Sequence, residues 1–312
     1  MKIFGDKVRY SYALLLILIP PYLGFAQSLH IIPQKTITIA DPANAKMSKY
    51  GAISVNTQKE IYITDIALNR VLRLDADGTL LRETGGFGWE AEQFDRPVDI
   101  WAQNVLDVLV VDYNNHRIQR FDRNLNFVSV LANDASRDAR LQFAYPVAVA
   151  FSAFGELFIA EQEHNRILKF DAGGQPVLSF GDYDWGAGSL QEPVDLTISA
   201  KNELFVADAG RRAVVKFDYF GNFLQEMRHD AFAYIEGLAV AEGHLFVLNA
   251  TSLPRLLVLT LTGEPVAEFD LNNVLKSKAA RAGNMAIMGK SLYVLDSASS
   301  LIHVFEIKRS SK

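Results

Sequence analysis

A two-part phrase recurs along this chain, and its period leaves few folds open. Ile61-Tyr62-Ile63-Thr64-Asp65, then Asn69-Arg70-Val71-Leu72-Arg73-Leu74-Asp75, returns as Val108-Leu109-Val110-Val111-Asp112, then His116-Arg117-Ile118-Gln119-Arg120-Phe121-Asp122. A third copy runs from Leu157 through Glu161 and Asn165-Arg166 to Asp171, and a fourth from Leu204 through Asp208 and Arg212 to Asp218. Weaker copies lie at Leu245–Asn249 and Leu292–Asp296. The residues closing the first half, Asp65, Asp112, Glu161, Asp208, Asn249 and Asp296, stand 47, 49, 47, 41 and 47 residues apart. Short β-rich runs repeating at roughly 40 to 50 residues mark the blades of a propeller.

Turn residues divide each unit into four strands. In the second unit Val98 to Ala102, after Pro97, is the inner strand, and Val108 to Val111 is apolar throughout, as a strand buried between sheets should be. Arg117 to Phe121 and Phe127 to Leu131 are the third and outer strands. Asp77-Gly78, Gly173-Gly174, Gly221-Asn222 and Thr262-Gly263 supply the last turn of other units, where glycine gives positive φ. Six inner strands are readable, the first at Tyr50 to Val55, but the last unit runs out after Ile307. Lys35 to Ala40 alternates correctly and is otherwise unassigned, so it is expected to supply the missing outer strand and close the ring. The expected fold is an all-β, six-bladed propeller of four-stranded blades. Asn133 to Leu141 and Leu271 to Arg281 read as short helical insertions that pack as caps.

The chain opens with a different signal. Lys2, Lys7 and Arg9 precede an apolar run from Ala13 to Ile19, Pro20-Pro21 ends it, and Gly24-Phe25-Ala26 has small residues where a signal peptidase reads. Residues 1–26 are expected to be a signal peptide and residues 27–312 the propeller, secreted or periplasmic, without stable membrane insertion after cleavage. The absence of cysteine rules out disulfides, thiol nucleophiles and thiolate metal sites. The net charge of −5, or −7 without residues 1–26, argues against nucleic acid, which selects basic surfaces. A monomer is expected.

The pattern Pro97-Val98-Asp99-Ile100, then Leu204-Phe205-Val206-Ala207-Asp208, then Asn165-Arg166-Ile167-Leu168-Lys169-Phe170-Asp171 resembles the NHL repeat. Gly85-Gly86-Phe87-Gly88 through Gln93-Phe94 to Pro97 is similar to the inter-blade connection of that family. The resemblance covers most of the chain, strongly in the first four repeats. It implies a propeller but little about function, because NHL propellers include protein-binding and RNA-binding modules. They also have secreted enzyme relatives such as the peptidyl-hydroxyglycine amidating lyase. That lyase places metal-binding histidines around its channel, and this sequence offers no matching set.

Inner strands start, and second strands end, at one face of such a propeller. The acid and Arg residues, the connections between blades and the Pro-Val-Asp starts therefore meet there. Phe87 and Trp89 in one glycine-rich connection, and Tyr183 and Trp185 in another, are expected to contact a partner, with Arg117 and Arg166. The acid–Arg pairs also have a structural reading, since their recurrence in successive blades exceeds what one site needs. Asp99, Asp195, Glu236 and Asn284 lie at or near inner-strand starts, where oxygen ligands suit Ca²⁺ or another divalent cation. The six histidines have no zinc spacing, and no Gly-x-Ser-x-Gly, phosphate loop or Ser/His/Asp set is present. The function expected from these features is a non-catalytic scaffold for a protein or envelope glycan. The alternative is a metal-dependent hydrolase or lyase at the channel mouth. Signal cleavage is directly testable: N-terminal sequencing of the exported protein should begin at Gln27, and a membrane-bound product beginning at Met1 would refute it.

Overall fold

A computed structural model describes residues 29–41, 49–133, 138, 141–250, 254–272, 275, 282–296 and 299–309. Its 24 strands form six four-stranded antiparallel sheets. The first blade holds β2 (Tyr50–Val55), β3 (Ile61–Asp65), β4 (Arg70–Leu74) and β5 (Leu80–Gly85). The second holds β6 (Pro97–Trp101), β7 (Asp107–Asp112), β8 (Arg117–Asp122) and β9 (Phe127–Ala132). The third holds β10 (Pro146–Phe151), β11 (Leu157–Glu161), β12 (Arg166–Phe170) and β13 (Pro176–Phe180). The fourth holds β14 (Pro193–Ile198), β15 (Leu204–Asp208), β16 (Ala213–Phe217) and β17 (Phe223–Met227). The fifth holds β18 (Ile235–Ala241), β19 (His244–Asn249), β20 (Arg255–Thr260) and β21 (Pro265–Asp270). The sixth takes β22 (Ala282–Met288), β23 (Ser291–Asp296) and β24 (Leu301–Arg309) from the end of the chain and β1 (Leu29–Thr38) from its start.

This is the six-bladed propeller expected, closed by its N-terminal strand. The closing strand starts at Leu29, six residues before the expected start, and bulges between Pro33 and Lys35 because proline has no N–H for the ladder. Beyond it the chain passes to the first blade, where the Ala40 N–H donates to the Gly78 carbonyl at 3.0 Å. Gly78 sits at φ 89°, and a Cβ there would lie 2.4 Å from the Thr38 carbonyl oxygen, so the seam admits only glycine. Most of the stretches read as helical insertions, and all of residues 1–26, fall outside the described residues.

The core is divided among six apolar clusters, one at each seam between neighbouring blades. Hence β3, β7, β11 and β15 are buried along their whole length, and their sequences need no alternation. The aspartate ending the repeated phrase turns the hairpin to the outer strand. Asp75, Asp122, Asp171 and Asp218 each accept the N–H groups two and four residues ahead, at 2.8–2.9 Å. In the second blade Leu125, at φ 60°, takes the place that glycine fills in the others.

Closure by β1 yields a prediction. Deleting residues 29–38 should uncover β24 and one face of the seam cluster containing Ile37, Tyr293 and Val304, giving aggregation or a large drop in melting temperature. Ile37→Ala, which keeps the strand, should cost about 2–4 kcal/mol in denaturant unfolding. A deletion that stays monomeric and melts at the parent temperature would refute closure.

Candidate functional site

The acid that ends each second strand organises the face where blades are joined. Asp112 accepts the Asp95 N–H at 2.8 Å, the Asn115 amide at 2.9 Å and Arg117 Nε at 2.7 Å. Asp65, Glu161 and Asp208 hold turn or connection amides in the same way. The residue just before the third strand takes left-handed backbone: Asn69, His116, Asn165 and Arg212 lie at φ 50–52°.

The arginine then reaches the connection that leads into its own blade. Arg70 pairs with Asp41, Arg117 donates to the carbonyls of Trp89, Glu90 (3.0 Å) and Gln93 (2.8 Å), and Arg166 to that of Gln142 (2.6 Å). In the fourth blade Ala213 stands where the other repeats have this arginine, and Arg211 holds the Ser189 carbonyl at 2.6 Å. These contacts support the structural reading of the acid–Arg pairs. They turn Arg117 and Arg166, expected at a partner contact, inward as clamps.

The clamp of the second blade displays two aromatic rings. Asn115 donates to the Gly88 carbonyl at 2.8 Å and Gln119 to the Gln93 carbonyl at 2.6 Å, so both ends of the connection are held. Gly88, at φ 154°, faces the Gln93 side chain so closely that a Cβ would lie 2.0 Å from its Oε1. On this fixed connection Phe87 and Trp89 are 74% and 79% exposed. Tyr183 is exposed as well, on a short 3₁₀ turn, Tyr183–Gly188. Trp185 differs: its indole N–H donates to the Gly221 carbonyl at 3.2 Å and its ring lies 6.3 Å from that of Phe180. Gly221 belongs to a hairpin turn of the next blade, so Trp185 packs onto the blade wall.

A second aromatic group was not legible. Arg96 lies over the Tyr113 ring at 4.5 Å, Tyr113 is 5.3 Å from Tyr145, and His116 meets Tyr145 edge-on at 4.3 Å. The Tyr145 N–H also donates to His116 Nδ1 at 3.0 Å. Arg96 and Tyr145 hold φ of 65° and 51° immediately before a proline, a conformation that a side chain at that position and the following proline both disfavour. Arg96, Tyr145, Glu192 and Tyr234 each precede an inner strand and so stand around the channel mouth.

Below them the inner strands enclose a cavity of about 70 Å³, room for a few waters. Asp99, Asp195 and Asn284 line it, with Trp101 and Phe151 further along. Register shifts at the strand starts make the aligned ring Ala52, Asp99, Ala148, Asp195, Gly237 and Asn284, in which small residues alternate with Asp or Asn. Glu236 falls one residue early, at the bulge that Val98, Val147 and Val194 fill elsewhere, and is not among the residues lining the cavity.

Each acid acts as a bridge between blades. Asp99 accepts the Val149 N–H of the next blade at 2.9 Å, and Asp195 accepts those of Leu196 at 2.7 Å and Leu238 at 2.6 Å. Asn284 accepts the Met285 N–H at 2.6 Å. Burial pushes the Asp99 carboxyl up to about 6. Burial and then the Asp99 charge raise Asp195 well above the usual carboxylate range. Among the described residues no three His, Asp or Glu gather to hold a metal, and these two acids already accept backbone amides. The described residues therefore offer the expected cation no matching donor set there.

No family model matches the chain. One segment is 34% identical over 98 residues to Protein brain tumor of Drosophila melanogaster, covering 31% of this chain and 9% of that protein. Another is 27% identical over 158 residues to rat (Rattus norvegicus) peptidylglycine alpha-amidating monooxygenase, covering 45% and 16%. The chain thus spans less than a fifth of either relative. Among solved structures it is similar to streptogramin B lyase, with a TM-score of 0.62, 14% identity and 91% and 87% of the two chains covered. A chain of a nidogen/laminin complex superposes with a TM-score of 0.58 and 14% identity over 78% and 93%. These likenesses show the fold.

The channel acids give a pH prediction. Between about pH 4 and about pH 6 the folded Asp99 holds a proton that the unfolded chain has released, so this stabilisation is full below about 4 and lost as pH rises through about 6. Asp99→Asn keeps an acceptor for Val149 without the charge. It should stabilise the protein by on the order of 2 kcal/mol near pH 7.5, a gain that fades toward pH 4. Chemical denaturation across that range checks it, and a destabilised variant near pH 7.5 would show that the charge supports the fold.

Proposed function

We propose that this chain is an exported NHL-type propeller that binds a protein or envelope glycan on its connection face, without catalysis. The observation carrying this reading is the pair Phe87 and Trp89, exposed on a connection whose carbonyls Arg117, Asn115 and Gln119 hold. An exposed large aromatic is poorly solvated, and a backbone already ordered loses little freedom on binding. The Arg96–Tyr113–Tyr145 stack adds aromatic surface on connections and turns of the same face. The quoted repeats and the likeness to Protein brain tumor support the NHL reading. The likeness to a chain crystallised in a nidogen/laminin complex supports a protein partner.

The alternative is an enzyme working at the channel mouth, and the likeness to streptogramin B lyase is its support. The described residues lining the cavity include Asp99 and Asp195 but no histidine. Asp99→Ala with Asp195→Ala would abolish such an activity while leaving partner affinity nearly unchanged.

Capture from an envelope fraction, followed by titration of the purified partner, tests the scaffold. Phe87→Ala and Trp89→Ala should each weaken binding by about 2 kcal/mol, or about 30-fold. Trp185→Ala should lower the melting temperature more than the affinity, because its indole is bonded to the next blade. Asn124→Ala, on the opposite face, should do neither. If Asn124→Ala weakens binding and Trp89→Ala does not, the binding face is the other one.

A further inference from the structure

The outer strands are the open edges of the propeller, and five of the six carry a residue that discourages pairing. β1 has Pro33 and Lys35, β5 has Arg82 and Glu83, β13 opens on Pro176, β17 holds Glu226, and β21 holds Pro265 and Glu268. β9, Phe-Val-Ser-Val-Leu-Ala, has neither charge nor proline. Val128 and Val130 are 52% and 47% exposed, Ser129 and Ala132 are exposed too, and among the described residues only β8 pairs with this strand. The Phe127 N–H at its start donates to Glu92 Oε1 at 3.4 Å; beyond that residue an uncharged, β-branched edge of this kind is a template for another strand.

We propose that β9 is a self-association edge, occupied by β9 of a second copy of this chain running antiparallel about a two-fold axis at Ser129. The occupant follows from the sequence of the strand, which matches itself. Around Ser129, Val128 of one copy stands opposite Val130 of the other and Phe127 opposite Leu131, apolar against apolar, with no charge to repel the copy or to select a foreign partner. The two second blades then form one eight-stranded sheet. A six-residue edge buries less than about 1,000 Å², the low end of specific interfaces, so the dimer forms and dissociates with concentration. This replaces the monomer expected from the sequence.

The chain lacks cysteine, so single substitutions report the register directly. Opposed residues of an antiparallel pair lie about 4.5–5.5 Å apart at Cα, within disulfide range. Ser129→Cys should therefore form a covalent dimer under mild oxidation. Val128→Cys or Val130→Cys alone should cross-link poorly, and mixing those two should restore the cross-link. In sedimentation the wild-type chain should shift from monomer to dimer between about 10 and about 500 μM, the range of a weak interface. Val130→Lys, at an exposed position, should stay monomeric with unchanged melting temperature, whereas Val177→Lys on β13 should leave the dimer intact. A wild-type chain that remains monomeric to about 500 μM would overturn the proposal. So would Ser129→Cys cross-linking no faster than Val128→Cys.

Discussion

Every blade buries both faces against a neighbour, so the seam between the last and first blades is left open until the ring is closed. That closure rests on backbone hydrogen bonds between β1 and β24, the two ends of the chain. The seam between the last blade and the first is covered by the same kind of apolar cluster as the other five, here joining Ile37 and Tyr293 to Ile53 and Leu72. The pairing brings together residues more than 260 apart, an expensive loop closure. Its formation is what turns six two-sided sheets into a stable domain.

Within the ring one short phrase carries the local design. Its first acid accepts turn amides, its Asn or His turns the backbone left-handed, its Arg ties down the incoming connection, and its last Asp folds the outer hairpin. Polar groups at this face are thus satisfied by the repeat itself, which leaves the connections fixed but free in sequence. Conformational order and chemical variability are separated, and the aromatics of the second blade occupy the variable part.

Much of this was legible because it recurs. Repetition identified the blades, the closing strand and the structural sense of Asp112 with Arg117. What failed were assignments that depend on one residue of phase. Glu236 looked equivalent to Asp99 until the bulge between Ile235 and Gly237 shifted it off the channel, and in the fourth blade, where Ala213 holds the arginine's place, Arg211 supplies the clamp. Trp185 followed the same rule as Trp89 in sequence but found a hydrogen-bond acceptor on the adjacent blade. The stack of Arg96, Tyr113, His116 and Tyr145 assembles across two blades, and no spacing within one repeat encodes it.

The alternation of Ala52, Asp99, Ala148, Asp195, Gly237 and Asn284 gives the channel a parity that the outer ring lacks. Asp99 and Asp195 each reach across a seam toward a blade whose own residue at that level is small. The inner wall therefore contains two bridged blade pairs, second with third and fourth with fifth, although the backbone has six equivalent units. Gain or loss of a single blade would set two Asp or Asn residues, or two small ones, side by side. Near the axis, this propeller can change size without conflict only by two blades at a time.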